Sequence, residues 1–154
     1  MTDSSKTNFQ LVSIGIIGYI FVASFAYLLK FSLRDFLVNL SLKPIIIIPI
    51  VEFTYLLTFL LLLLLIFKLA NDKTYNKDLI LKLLVIGLII TQALQFVEPF
   101  IVRSLVDNDY YVKVTEFYDF QNNDKTMQFF TNTKFLLPSI LILTIVYRKI
   151  KHSG

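Results

Sequence analysis

Four polar residues interrupt three otherwise apolar stretches of this chain. Glu52 is the one charge in the run IIIIPIVEFTYLLTFLLLLLLIF at 45–67. Gln95 and Glu98 lie late in a second run, and Lys134 opens a third. In helical geometry Glu52 stands about 24 Å from Lys68, Gln95 about 25 Å from Asp78, and Lys134 about 21 Å from Arg148. Three separate stretches thus place polar groups in one layer, with Glu98 a turn higher. A charge at the centre of a bilayer costs roughly 2.5–3.5 kcal/mol on insertion scales, so such residues face protein, a partner or water. The spacing predicts that Glu52 and Lys134 interact, that Tyr55 lies one turn from Glu52, and that Gln95 and Glu98 complete an outward-opening polar pocket. Gly87, Thr91, Gln95 and Glu98 follow i, i+4, i+8, i+11 spacing, a single stripe down one helix face. Pro49 and Pro99 each sit beside an acid, where polar neighbours can replace the backbone bonds that proline removes.

The chemistry open to this set is narrow. A carboxylate pair can in principle move protons, but no nucleophile with an adjacent base accompanies it. Cysteine is absent, His152 is a terminal histidine beside Lys151, and none of the four glycines forms a phosphate-binding loop. No metal-ligand spacing is present, so neither a metal nor a cofactor is expected. Glu52, Tyr55, Gln95, Glu98 and Lys134 read instead as a ligand- or partner-binding set. The competing reading is structural: buried polar residues also lock helices together, at about 0.6 kcal/mol per bond in membranes.

The elements that must position these residues are transmembrane helices. The chain has 154 residues, 56% of them hydrophobic, too apolar for an ordinary soluble domain and too short for two sizeable ones. Twenty-three residues at 45–67 span about 34 Å as a helix, enough to cross a ~30 Å hydrocarbon core. The expected fold is all-α: an antiparallel four-helix transmembrane bundle in a single domain, with spans at about 11–29, 45–69, 79–102 and 129–147. Small residues Gly15, Gly18, Ala23, Ser24 and Ala26 favour close packing of the first span. Residues 30–44 read as a short interfacial turn or helix, with Ser32 and Asp35 at capping-box spacing and Pro44 at the start of span two. The outer loop 103–128 is polar, acidic and aromatic, and YYVKVTEFYDF alternates well enough to suggest a short hairpin strand. The last span needs partly polar first turns, because 135–147 alone is too short to cross.

The polar N-terminus, with no small-residue cleavage site after the first apolar run, predicts a retained first span rather than a cleaved signal. Lys and Arg number eight on the side of both termini and seven on the other. RKIK at 148–151 abuts a span, whereas the basic residues of 103–134 are spread along a loop with five acids, so both termini are placed in the cytoplasm. The net charge of +4 is accounted for by basic residues at span ends, and no nucleic-acid partner is expected.

Lys73–Leu88 (KTYNKDLILKLLVIGL) resembles an uncharacterised bacterial family of small four-span membrane proteins. Asn76, Lys77, Lys82 and Gly87 match its polar inner loop, basic helix start and span glycine. LTIVYRKI at 143–150 is similar to the family's closing pattern of an aromatic and two basic residues. It departs at Ile145, where the family has an acid, and at Ile150, where it has a glycine. The first outer loop is also short. The resemblance implies a four-span inner-membrane protein of unknown activity, often encoded beside a small helix-turn-helix regulator, and transfers no catalytic residues.

The function expected from the sequence is a non-enzymatic integral membrane protein of the plasma (inner) membrane. It would bind a ligand or another membrane protein at its outer face in a sensor, regulatory or immunity role. Membrane lipids, a membrane-protein partner or further copies of the chain are the expected contacts. A small oligomeric channel or transporter using the intramembrane carboxylates is the first alternative, and a lipid-modifying enzyme the second.

Overall fold

The computed structural model describes residues 3–72, 74–106, 109–133, 136, 139, 140 and 144, with side chains from Phe9 onward. Its elements are α1 (Asp3–Asn39), α2 (Pro44–Asn71), α3 (Lys77–Leu105), α4 (Tyr110–Asn123) and α5 (Lys125–Thr133). Three of them, α1 from Phe9, α2 and α3, are long and apolar enough to cross a membrane. Their outward faces carry Ile16, Phe53, Leu61 and Ile89, each more than half exposed. Such continuous apolar surface suits acyl chains rather than water. About half of the predicted span at 129–147 lies outside the described residues; 129–133 form the end of α5, and 136, 139, 140 and 144 are helical.

Helix α1 lies between α2 and α3, which scarcely touch each other. Gly18 meets Ile66, Tyr19 meets Phe59, and Lys30 meets Glu52, so rising positions on α1 face falling positions on α2. Against α3 the numbers rise together: Gln10 bonds Asp78 and Ser24 bonds Gln92. The two ends of this assembly are marked by the α1–α2 turn at Ser41 and by the α2–α3 loop at Asn76.

Each end is built from local chemistry. Ser41 has a left-handed φ of 58°, its N–H bonds the Val38 carbonyl at 2.9 Å, and the Leu42 N–H reaches the Leu37 carbonyl at 3.4 Å. This is the Schellman ending, here with serine where glycine is usual. Lys43 is extended, as a residue before proline must be, and Pro44 opens α2 where its missing N–H costs no helical bond. At the other end the Asn76 side chain accepts from the Asp78 and Leu79 N–H groups at 2.9 and 3.4 Å, capping α3.

Two sequence expectations are corrected. Residues 30–39 form no separate interfacial element, because α1 runs unbroken to Asn39. Ser32 and Asp35 lie inside a helix and cap nothing, and Leu33, Leu37 and Val38 extend its buried face. YYVKVTEFYDF is no strand either. Tyr110, Val114 and Phe117 are spaced i, i+4, i+7, and as helix α4 they pack together against α1 and α2.

Two apolar cores result. Toward the Asn76 end, Ile14, Val22 and Ala26 of α1 meet Phe59, Leu63 and Ile66 of α2 and Leu84 of α3. Toward the Ser41 end, Val38 of α1 and Ile47, Ile48 and Val51 of α2 meet Tyr110 and Phe117 of α4.

Candidate functional site

Charged side chains concentrate where the two cores meet. Glu52, its side chain 1% exposed, accepts a bond from Lys30 Nζ at 2.6 Å. Tyr55 lies one turn along α2, its ring 5.7 Å from the same ammonium and stacked on Phe59. One turn up α1, Arg34 Nε and Nη2 both reach Asp35 Oδ1, at 2.7 and 2.5 Å. The Arg34 guanidinium lies over the Phe31 ring at 4.5 Å, faces the Tyr118 ring of α4, and bonds the Tyr118 hydroxyl. Lys30, Arg34 and Glu52 line one small cavity together with Phe117, Tyr118 and Gln121, so α4 roofs the cluster.

Glu98 approaches from α3. Its carboxyl sits against that of Asp35, with Arg34 beside both. Glu98 Oε1 is buried and meets no hydrogen-bond donor among the described residues. Tyr110 of α4 completes the group: burial and the neighbouring Asp35 carboxylate push its hydroxyl above the ordinary tyrosine pKa. Asp35 and Glu98 also line a groove of ≈ 420 Å³ between α1 and α3. Its walls use positions 28, 32, 35, 36 and 39 of α1 and 94, 98, 101, 102 and 105 of α3, the same helical spacing on each side.

The expected constellation therefore divides. Glu52 and Tyr55 adjoin, as their spacing implies, and Glu52 bonds Lys30. Lys134, expected as its partner, lies outside the described residues. Gln95 and Glu98 do not share a pocket with Glu52: α3 meets the opposite flank of α1, where the Gln95 Nε2 bonds the Ser24 carbonyl at 2.7 Å. Most of the α3 polar stripe is a packing seam. Gly87 receives the Phe21 ring so closely that a Cβ would stand 2.9 Å from it, and Thr91 is buried with its hydroxyl on the Gly87 carbonyl. Only Glu98, at the top of the stripe, joins the charged cluster.

Sequence reasoning missed Lys30, Arg34, Asp35, Tyr110 and Tyr118. The signal for the first was present. In a helical hairpin that turns at Ser41, Lys30 and Glu52 are equidistant from the turn and so face each other. Among the described residues no group of three or more acidic or histidine side chains is arranged to hold a metal ion.

Comparison with family models, with curated proteins and with solved structures found no match.

Proposed function

We propose that this chain is a non-enzymatic integral membrane protein that binds a ligand or partner at its outer face, in a sensing or immunity role. The reading takes 129–147 as a fourth span completing an antiparallel bundle in the plasma membrane, with both termini in the cytoplasm and the Ser41 end outward. The observation that carries it is the uneven placement of charge. Lys30, Arg34, Asp35, Glu52 and Glu98 gather near the Ser41 end under α4, while apolar side chains fill the bundle below them. Intramembrane ionisable groups are costly, and their usual return is recognition or transport. The seal formed by Leu63, Ile66, Ile80 and Leu84 favours recognition over a route through one bundle.

Orientation and function are tested together. The chain has no cysteine, so single cysteines at Asn122 and Ser153 are clean reporters for an impermeant maleimide on intact cells. Asn122→Cys is expected to label and Ser153→Cys to label only after permeabilisation. A photocrosslinking residue at exposed Val112 of α4 is expected to form discrete adducts that the same residue at lipid-facing Ile89 does not. The reading fails if Asn122→Cys is protected, or if Val112 forms no such adduct while liposomes show proton flux that Glu52→Gln abolishes. The second outcome would install the channel alternative.

A further inference from the structure

We propose that the groove between the outer halves of α1 and α3 binds a cationic amphiphile, with its ammonium group on Glu98 and its alkyl chain along the apolar walls. The proposal rests on the reading of an outer-face binder and names the ligand class. Charge supplies the first reason. Lys30 serves Glu52, and Arg34 grips Asp35. Two cations thus stand among three carboxyls: Glu98 lies against Asp35 and shares the Arg34 that grips it, with no cation of its own among the described residues of the cluster. Its Oε1 is buried without a donor. A buried carboxylate oxygen in that position is stabilised by any ligand that brings an N–H to it.

Shape supplies the second. At ≈ 420 Å³ the groove lies within the roughly 300–1,000 Å³ range of small-molecule sites. From Leu94 to Leu105 it extends about 16 Å along α3. Magnesium or calcium would need about six oxygens, which apolar walls cannot supply. An ammonium needs three acceptors, and the Glu98 carboxyl, the Asp35 carboxyl and the Ser32 hydroxyl line this groove. Leu28, Phe36, Leu94 and Ile101 are left for a hydrocarbon chain.

The test uses the full chain in a non-ionic detergent. The protein has no tryptophan, so Ile101→Trp places a sole reporter on the groove wall. The probes are a brominated long-chain alkylammonium and the alcohol of equal length, both quenchers. The ammonium is expected to saturate quenching at about tenfold lower concentration than the alcohol, the size of losing one hydrogen bond to a charged group. Adding Glu98→Gln should erase that preference, while Asp78→Asn at the far end should leave it intact. Should Glu98→Gln lose its helical circular dichroism, Glu98→Asp serves instead and must retain a preference for the ammonium. Equal saturation by the two probes, or a preference that survives in folded Glu98→Gln, overturns the proposal. Neither result touches the Val112 adducts, which judge the broader reading by themselves.

Discussion

The two cores of this protein are assembled on different principles. Toward the Asn76 end, helices are fitted by shape: Gly18 admits Ile66, Gly87 admits Phe21, and Val22 and Ala26 are fully buried between the other two helices. In lipid such contacts carry little hydrophobic driving force, since acyl chains are as apolar as the side chains they replace, and close packing supplies the stability. Toward the Ser41 end the helices are tied by charge and covered by α4, whose Tyr110 and Phe117 are buried against them. There a short helix of low overall apolarity leaves water to cover the bundle, and the ordinary hydrophobic effect operates. The shape-fitted end is closed by packing, whereas the charged end holds Glu98, whose Oε1 meets no donor among the described residues. The binding site proposed above lies at that charged end.

The largest effect that separates the two ends is expected from Lys30→Leu. It removes Lys30 from its ion pair with the Glu52 carboxylate, 1% exposed, and removing one member of a buried pair costs about 3–5 kcal/mol. The double variant Lys30→Leu with Glu52→Leu should recover most of that loss, because two apolar side chains leave no buried charge. Denaturant titration of the four proteins of this cycle in one detergent measures the coupling. If the double variant is as unstable as Lys30→Leu, the pair is no self-contained unit and the charged end is held by something else.

Next in size is the contrast between Phe117→Ala and Phe59→Ala, each removing a ring buried to within a few per cent of its surface. Phe117 leaves a core whose outer side meets water, so about 3 kcal/mol should be lost. Phe59 leaves a core surrounded by lipid, where packing alone is forfeited, and the loss should be smaller. Equal losses would place both cores in the same solvent and remove the distinction.

How far the sequence discloses this arrangement depends on the distance over which its signals act. Spans two and three are legible within two or three residues, because a long apolar run admits only one element in lipid and because Pro44 and Asn76 mark their starts. The first span is read short, since Lys30, Arg34 and Asp35 look like the polar exit of a helix; they instead turn inward and find partners on α2, α3 and α4. Tyr110, Val114 and Phe117 satisfy helical and alternating patterns well enough to be misread, and the choice is made by the buried surface on α1 and α2 that receives them. Depth alone sorted Glu52 with Gln95 and Glu98. Depth gives height along the bundle and no azimuth, and the azimuth follows from the turn at Ser41 and from which flank of α1 each neighbour occupies.

A smaller effect is expected at the Asn76 end. Asn76→Ala removes the side-chain acceptor for the first N–H groups of α3 and should cost about 1 kcal/mol, read by the same titration. Asn76→Asp should restore it, since a carboxylate caps as well and suits the positive helix start. A cost several times larger would mean that this loop, like the Ser41 end, anchors the bundle.

The smallest effect concerns pH. The Thr74 N–H and hydroxyl donate to Asp72 Oδ1 at 2.9 and 2.7 Å, and these bonds hold the Asp72 carboxyl below its ordinary pKa. A group whose pKa is lowered in the fold adds stability above its unfolded value of about 3.9 and gives it up as pH falls through the folded value. Acid should therefore loosen the 72–76 loop without unseating the spans, because this carboxyl is fully exposed and touches neither core. Exchange at the Thr74 amide, corrected for its intrinsic pH dependence, should quicken below pH ~4 in the native chain and stay flat across that range in Asp72→Asn. Tyr110 gives the opposite sign at the other end: its raised pKa contributes stability below pH ~10 that is lost as pH climbs, so alkali should release α4 while the Asn76 loop holds. Acid and alkali thus open opposite ends of one bundle. If a single pH instead released both the Thr74 amide and the α4 amides, the two ends would be one cooperative unit, and the division between scaffold and charged face would not describe this protein.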